Sequence, residues 1–180
     1  MTPEDRLSSW LIEERQVLDK VEAGPGPGLA SREQLAGKTG LEVMQAMLRG
    51  EIPYAEIAKT LTFGAISVSS GRAVFQGTPQ TQHLNPMGTI HGGWIGTVLD
   101  SALGSAVLTT LPPGHAYTTA ELSVKYVKGL SPKVRRVRAE AKVTSQEGRV
   151  AKAEAQLVGP DGTVYARALT ECRLFEIPVD

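Results

Sequence analysis

A long stretch with a single charged residue constrains this fold most. Between His91 and His115 the only formally charged residue is Asp100. Apolar residues recur there at helical spacing, at positions 94, 95, 98, 99, 102, 103, 106, 107 and 108, and most of the remaining positions are Gly, Ser or Thr. A helix without a charged face is a buried one. The pattern therefore predicts a central helix of roughly 15 to 19 residues against which other elements pack closely.

Asp100 lies inside this helix, more than two turns from its start, which is too far along to act as an N-cap. An unpaired carboxylate in a buried helix is strongly destabilising unless it takes up a proton. Two interpretations stay open at this point. The carboxylate pairs with a surface Lys or Arg or caps another element, or it lines a reactive pocket, where perturbed carboxylates are concentrated.

The loop before the helix runs into Gly92 and Gly93, which fall in the first helical turn. Backbone N–H groups have no intrahelical partner there, and the helix dipole favours negative charge. Glycine lowers helix stability by about 1 kcal/mol per residue, so the chain accepts a local cost for access or for backbone geometry. Open N–H donors together with a buried carboxylate favour attack on a carbonyl group. A turn required only for its geometry is the alternative.

Gly92 and Asp100 are eight positions apart, which is about 12 Å along a straight helix. A single carbonyl group is too small to contact both residues of the same helix. If two copies of the helix run antiparallel across a two-fold axis, Gly92 of one copy approaches Asp100 of the other. The spacing therefore favours a site at a dimer interface.

The pattern Asn-x5-His-Gly-Gly-x7-Asp is formed by Asn85, His91, Gly92, Gly93 and Asp100. Followed by an apolar helix and then by strands, it resembles the PaaI-type acyl-CoA thioesterases of the hotdog fold. The resemblance covers roughly residues 60 to 177. It implies an α+β hotdog fold, in which a curved antiparallel sheet wraps around a central apolar helix. It also implies a homodimer or tetramer with a site shared between subunits.

The resemblance further implies the roles of five residues. Asp100 would act as nucleophile or general base, the Gly92 N–H as oxyanion donor, and Asn85 as the group that orients water or the thioester. His91 also belongs to the motif. Its role varies, and support of the loop alone is one of the implied roles. Thr118, eighteen residues past Asp100, matches a strand Ser or Thr that assists in some relatives. The implied reaction hydrolyses an acyl-CoA thioester without a metal or cofactor, coenzyme A being part of the substrate.

The N-terminal part of the chain predicts helices. Thr2-Pro3-Glu4-Asp5 is a helix start, and the amphipathic helix that follows is expected to dock on the main domain or a partner subunit, or to stay a free interaction helix. The alternating Gly and Pro residues from Gly24 to Gly28 predict a linker. With a second short helix from Leu41 to Leu48, we predict an N-terminal helical extension over 1–60 and a hotdog thioesterase domain over 61–180.

Alternating apolar residues predict strands on both sides of the central helix. A hairpin turning at Ser70-Gly71 precedes the loop that carries Asn85. Four strands follow the helix, over residues 116–128, 134–145, 149–158 and 164–177. Most connections are too short for crossovers, so the sheet should be antiparallel.

Composition and charge argue against several classes of protein. The 19 Lys and Arg balance the 19 Asp and Glu, so no bulk field favours nucleic acid or a membrane. No signal peptide is expected, and Cys172, the only cysteine, favours a reducing, cytoplasmic location. We expect Cys172 to be a packed strand thiol. The three histidines lack metal-ligand spacing with acids or cysteine, which argues against a zinc site.

Two other functions stay open. A hydratase or dehydratase would need a His and an acid converging on one carbon, with His91 and Asp100 as the candidate pair. A non-catalytic acyl-CoA binding module would keep the pocket and release no thiol.

Basic residues also cluster on the later strands: Lys125, Lys128, Lys133, Arg135, Arg136 and Arg138. They would meet CoA phosphates or protect solvated strand edges.

Overall fold

The computed structural model describes residues 1–178, which form five α-helices and one six-stranded antiparallel sheet. The helices are α1 (Pro3–Glu22), α2 (Arg32–Leu35), α3 (Gly40–Leu48), α4 (Glu56–Leu61) and α5 (Gly92–Leu108). The strands are β1 (Phe63–Ser69), β2 (Arg72–Gly77), β3 (His115–Tyr126), β4 (Val137–Glu147), β5 (Val150–Val158) and β6 (Val164–Glu176).

The sheet has the order β1-β2-β4-β5-β6-β3. The chain leaves β2, passes through α5, and returns as β3 at the far edge of the sheet, where β3 pairs with the last strand, β6. The 17 residues of α5 pack against one face of this sheet. The predicted α+β architecture, an antiparallel sheet curled around a central apolar helix, is confirmed.

Small side chains on the covered face of the sheet allow α5 to pack closely. Ala141, Ala155 and Ala168 pair with one another across β4, β5 and β6, and all three are buried. Facing them, Leu99 and Leu103 of α5 are completely buried in the hydrophobic core. Each such leucine contributes about 1.5–3 kcal/mol through burial. The apolar residues of α5 are thus explained by burial against the sheet, whereas one side of its first half, which includes Gly93 and Gly96, is not covered within the protomer.

The N-terminal helix α1 docks on its own domain, which was one of the expected alternatives. Trp10 is buried, and the Arg138 guanidinium carbon lies 4.6 Å from the centroid of its ring. Arg138 also donates to the Glu13 carboxylate at 3.0 Å. Arg136 forms a 2.8 Å ion pair with Glu14. Two members of the basic cluster therefore hold the extension in place.

The Gly-Pro segment after α1 is a packed connection, and not the linker that its composition indicates. Gly28 donates its N–H to the Tyr54 carbonyl at 2.8 Å, and Tyr54 donates to the Gly26 carbonyl at 3.2 Å. A Cβ atom on Gly24 would overlap the backbone of Gly50. Glycine is required here because two backbones meet. The division into residues 1–60 and 61–180 stays a prediction.

Candidate active site

Of the two glycine N–H groups at the start of α5, only one forms a hydrogen bond. His91 is the N-cap, and its Nδ1 accepts the Gly93 N–H at 2.8 Å. The neutral ring therefore carries its proton on Nε2. Among residues 1–178 the Gly92 N–H has no hydrogen-bond partner. The loop thus leaves the Gly92 donor available to a ligand, at the positive end of the helix dipole.

Tyr126, at the end of β3, fixes the first residue of α5 from the other side. Its hydroxyl donates to the Gly92 carbonyl at 2.9 Å. A Cβ atom on Gly92 would lie 3.0 Å from the Tyr126 ring, which is closer than most real contacts. Sequence analysis missed Tyr126, because nothing in an aromatic residue at a strand end indicates that it reaches a helix start 34 residues earlier.

Asn85 forms the turn that leads to His91. Its Oδ1 accepts N–H groups from Met87 at 3.0 Å and Thr89 at 3.2 Å, and its Nδ2 donates to the Thr89 hydroxyl at 2.9 Å. Such side-chain bonds to the local backbone are a common function of Asn in turns. In this conformation Asn85 shapes the loop. Its expected role toward water or the thioester stays a proposal.

Asp100 is half-buried on α5 and is bound by a hydroxyl group. Its Oδ1 accepts a hydrogen bond from Thr119 at 3.0 Å. No Lys, Arg or His side chain in the described part of the chain forms an ion pair with it. The interpretation that a surface cation compensates this carboxylate is therefore wrong within one protomer. That this carboxylate lines a reactive pocket stays a prediction.

The hydroxyl that bonds to Asp100 within the protomer belongs to Thr119, the neighbour of Thr118. Thr118 is exposed, whereas Thr119 is half-buried and bonded to Asp100. Successive residues of a strand point to opposite faces, so only one of two adjacent threonines can face α5. The assisting role that the resemblance implies for Thr118 stays a prediction. The strand was predicted correctly, but residue counting could not determine which of two adjacent threonines faces α5.

The side chains around Asp100 stay neutral near pH 7. Cys172 is completely buried, and burial raises the pKa of its thiol; the Thr170 hydroxyl partly offsets this shift, while the Asp100 carboxylate adds to it. Burial also raises the pKa of the Tyr117 phenol, with further contributions from Cys172 and Asp100. The prediction that Cys172 is a packed strand thiol is confirmed. A thiol held neutral in this way is a poor nucleophile.

Gly92 and Asp100 do not meet within one protomer. Both lie on α5, eight positions apart, which places them about 12 Å from each other along the helix axis. His91 is one residue farther away, so the His91–Asp100 pair that a hydratase would need is not formed within a protomer either. A site that uses both ends of this motif requires a second copy of the helix.

The histidines of the described residues have roles in packing and capping. His83 stacks on Trp94 with ring centroids 5.3 Å apart, and its Nδ1 accepts the Gln80 N–H at 3.2 Å.

Over residues 1–178, no group of three His, Cys, Asp or Glu side chains is placed to hold a metal ion. Nor does this part of the chain include a helix that is both long and apolar enough to span a membrane.

Residues 87–166 match the family model described as the thioesterase superfamily. Among solved structures, a putative thioesterase described as a phenylacetic acid degradation-related protein from Ralstonia eutropha is 26% identical, with a TM-score of 0.67 over 72% of this chain and 98% of that one. The PaaI protein of the E. coli phenylacetic acid degradation operon is 20% identical, with a TM-score of 0.66 over 79% and 99%. A mutant PaaI from Thermus thermophilus is 24% identical, with a TM-score of 0.59 over 65% and 96%. No curated protein matches the chain.

These matches, together with a sheet curled around α5, make this a hotdog-fold protein that carries the thioesterase-superfamily pattern over residues 87–166. The pattern includes the start of α5, Asp100 and Thr119. The resemblance to the PaaI type, predicted from the motif that ends at Asp100, is thereby confirmed.

Proposed function

We propose that this protein hydrolyses an acyl-CoA thioester to the free acid and CoA, with Asp100 as nucleophile or general base. The observation that carries the proposal is the state of the Asp100 carboxylate. It lies half-buried on a helix without other charged residues, bonded to the Thr119 hydroxyl and without a cationic partner among the described residues. The match of residues 87–166 to the thioesterase superfamily supports this class of reaction.

The proposed chemistry needs few groups. The Gly92 N–H donates to the thioester carbonyl oxygen and stabilises the negative charge that develops there. Asp100 either attacks the carbonyl carbon itself or removes a proton from the attacking water. The C–S bond breaks and the CoA thiolate leaves. In the general-base route the proton that Asp100 removed from water passes to the thiolate. In the nucleophilic route one water molecule cleaves the acyl-aspartyl anhydride, which frees the acid and Asp100 and supplies the proton for the thiolate. A thiolate leaves easily, so no strong general acid and no cofactor is required.

The proposed site lies between two copies of the chain. The separation of about 12 Å between Gly92 and Asp100 along α5 is accommodated if antiparallel helices of two subunits each contribute one end. We therefore propose a homodimer, or a tetramer built from such dimers, as the active form. A monomer would hold the oxyanion donor and the carboxylate apart.

The remaining motif residues position this chemistry. His91 caps α5 and so leaves the Gly92 N–H unpaired, while Asn85 shapes the preceding turn and, in the proposal, orients water or the thioester. Within the protomer the Thr119 hydroxyl holds Asp100. Four exposed cations of the basic cluster remain available to CoA phosphates: Lys125, Lys128, Lys133 and Arg135. A cytoplasmic location belongs to the same proposal, and a non-catalytic acyl-CoA binding module is its main competitor.

The test is thiol release from short, medium-chain and aromatic acyl-CoA esters by the wild type and by Asp100→Asn. The variant is nearly isosteric, and circular dichroism checks that it folds. We expect the wild type to turn over at least one class of ester and the variant to lose about a hundredfold or more, which corresponds to about 2.7 kcal/mol of transition-state stabilisation. If neither protein releases thiol but both bind the esters, the protein is a binding module.

A further inference from the structure

His83 is buried in the loop that leads to α5, with only 5% of its surface exposed. It ends the short 3-10 helix Thr81–His83, and its Nδ1 accepts the Gln80 N–H at 3.2 Å. The neutral ring therefore carries its proton on Nε2. Within residues 1–178 this buried Nε2 atom has no hydrogen-bond partner.

The unpaired Nε2–H group indicates a role of His83 beyond stability. A phenylalanine ring could also stack on the neighbouring indole, and it would not bury an N–H group without an acceptor, which is destabilising. The imidazole supplies one feature that phenylalanine lacks, the Nδ1 acceptor for the Gln80 N–H. Residues that break a rule of stability without an evident compensating gain are characteristic of functional sites.

His83 contacts both sides of the His91–Gly92 peptide group, which carries the candidate oxyanion donor. On one side, the His83 carbonyl accepts the His91 N–H at 2.8 Å. On the other side, the His83 ring stacks on Trp94, and the Trp94 backbone N–H donates to the His91 carbonyl at 3.0 Å. The residue before the donor and the residue that holds the carbonyl of the same peptide group are thus both in contact with His83.

Trp94 is itself held in place by other parts of the chain. Its indole N–H donates to the Leu61 carbonyl at 2.8 Å, and a Cβ atom on Gly77 would lie 2.8 Å from its ring. Because the indole is fixed, the His83 ring stacked on it is fixed as well. The position of this ring then determines where the 3-10 helix ends and where the His83 carbonyl lies.

We propose that neutral His83 is a positioning residue that holds the His91–Gly92 peptide group in the orientation in which the Gly92 N–H points at the thioester carbonyl oxygen. The proposal rests on the proposed thioesterase function. An oxyanion donor stabilises the transition state most when it needs no reorientation during the reaction. A proton on Nδ1 would prevent this atom from accepting the Gln80 N–H, so protonation of the ring releases the 3-10 helix and the peptide group that depends on it.

The surroundings of His83 keep its ring neutral at pH 7. Burial lowers the pKa of the imidazole from its ordinary value of 6.5, and among the described residues no charged group contributes to this shift. The titratable residue bonded to His83 is His91, which makes this contact through its backbone N–H, and the element stacked on the ring presents Trp94. The positioning should therefore persist at neutral pH and be lost only below pH 6.5.

His83→Phe tests the proposal in two backgrounds, the wild type and Gly92→Pro, which has no N–H at position 92. We expect kcat to fall about tenfold in the wild-type background with KM within about threefold, and to change less than about twofold in Gly92→Pro, where no donor remains to be positioned. His115→Phe is the control, because it makes the same change at a partly exposed histidine at the start of β3 and should alter neither background. An equal loss in both backgrounds would show that His83 acts on the fold as a whole and would overturn the proposal.

The ratio of the wild-type kcat to that of His83→Phe provides a second readout. Asp100 and His91 are present in both proteins, so any effect of their titration cancels in the ratio. We expect the ratio to be constant above pH 7 and to fall toward one below pH 6.5, because the wild type then loses what the variant already lacks. A ratio that does not change with pH, in proteins that circular dichroism shows to be folded, contradicts the proposal.

Failure of the positioning role can be distinguished from failure of the proposed function. If the wild type releases no thiol from any ester, the amide signal of Gly92, identified by its loss in Gly92→Pro, is followed by NMR while the His83 ring is titrated. A Gly92 signal that shifts with the midpoint of the His83 ring supports the positioning without hydrolysis. A Gly92 signal that does not follow this ring refutes the proposal. Because it uses no substitution at position 83, the same measurement decides the question if His83→Phe does not fold.

Discussion

Two neighbouring glycines at the start of α5 differ in what their N–H groups contact. Gly93 donates to the His91 ring, whereas the Gly92 N–H has no partner in the part of the chain that the structure describes. The difference follows from capping geometry, in which the N-cap side chain accepts from the second or third N–H of the helix. The first N–H of the helix is left for a ligand. This is the Gly92 N–H, which is the oxyanion donor of the proposed reaction.

Gly92→Pro removes this N–H, and its Cβ would meet the Tyr126 ring just as the Cβ of alanine would. Proline is favoured at the first helical position, and His91 has φ −58° and ψ 134°, a conformation that is allowed before proline. We expect kcat to fall by about 10²–10³, the range seen when an oxyanion donor is removed. Gly92→Ala is the matched control, because it adds a Cβ and retains the N–H; we expect it to lose less than about tenfold. Equal activity of the two variants would show that the N–H is not used.

Thr119→Val and Thr118→Val form a second matched pair. Thr119 donates to the Asp100 carboxylate, and a hydrogen bond to a charged group is worth about 1.5–3 kcal/mol. We expect Thr119→Val to lower kcat by roughly tenfold or more with little change in KM, and Thr119→Ser to restore most of it. Thr118→Val should stay within about twofold of the wild type. The reverse order would favour the original sequence prediction.

The candidate site could be predicted from sequence because the residues of the motif are close together along the chain. Asn85, His91, Gly92 and Asp100 all lie on one loop and one helix, so spacing alone gives their relative positions. Contacts across elements were less predictable. Which threonine of β3 meets Asp100 depends on strand register, and the Tyr126 bond to Gly92 depends on how β3 passes the helix start.

At the scale of elements, α5 contains two internal glycines with different surroundings. A Cβ atom on Gly104 would overlap the phenol of Tyr117, whereas a Cβ on Gly96 would have no atom within 4 Å other than its own helix and chain neighbours. Gly104 therefore allows β3 to pack against α5. Gly96 has no such packing role within the protomer.

Substituting each glycine with alanine tests this difference by urea unfolding. We expect Gly104→Ala to lower the free energy of unfolding by about 1–3 kcal/mol, because a filled contact must rearrange. In the dissociated chain Gly96→Ala should raise it by about 0.5–1 kcal/mol, since alanine is the better helix former and nothing within the protomer opposes its methyl group. The measurement is therefore made at protein concentrations below those at which the subunits associate. A shift of both variants in the same direction would contradict this assignment.

Most of the elements could be predicted from sequence, because caps, glycines and alternation are local signals. Thr39, for example, caps α3 as its Thr-x-x-Glu pattern indicates. The strand order could not be predicted, since the pairing of β3 with β6 joins distant parts of the chain. Arg136 and Arg138 belong to the basic cluster that the sequence offers for phosphate contact, but both pair with acids of α1, which becomes evident only in three dimensions.

In the whole molecule, the proposed site requires two copies of the chain. β3 is an edge strand of the sheet, and apolar side chains are exposed on it and just beyond its end, including Leu122, Tyr126 and Val127. Soluble proteins generally protect such edges, so an exposed apolar edge favours association. We expect this edge to face a second protomer, which would bring Gly92 and Asp100 of different copies together.

Mixing two inactive variants tests whether the site is shared between subunits. Asp100→Asn and Gly92→Pro are unfolded and refolded together, and thiol release is compared with that of each variant alone. If each site takes Gly92 from one subunit and Asp100 from the other, half of the randomly formed dimers are mixed and each has one intact site. We therefore predict recovery of about a quarter of the wild-type specific activity. Mixing Asp100→Asn with Asp100→Ala is the control and should recover nothing. If the first mixture is no more active than its two components, the claim that the site is shared between subunits is wrong.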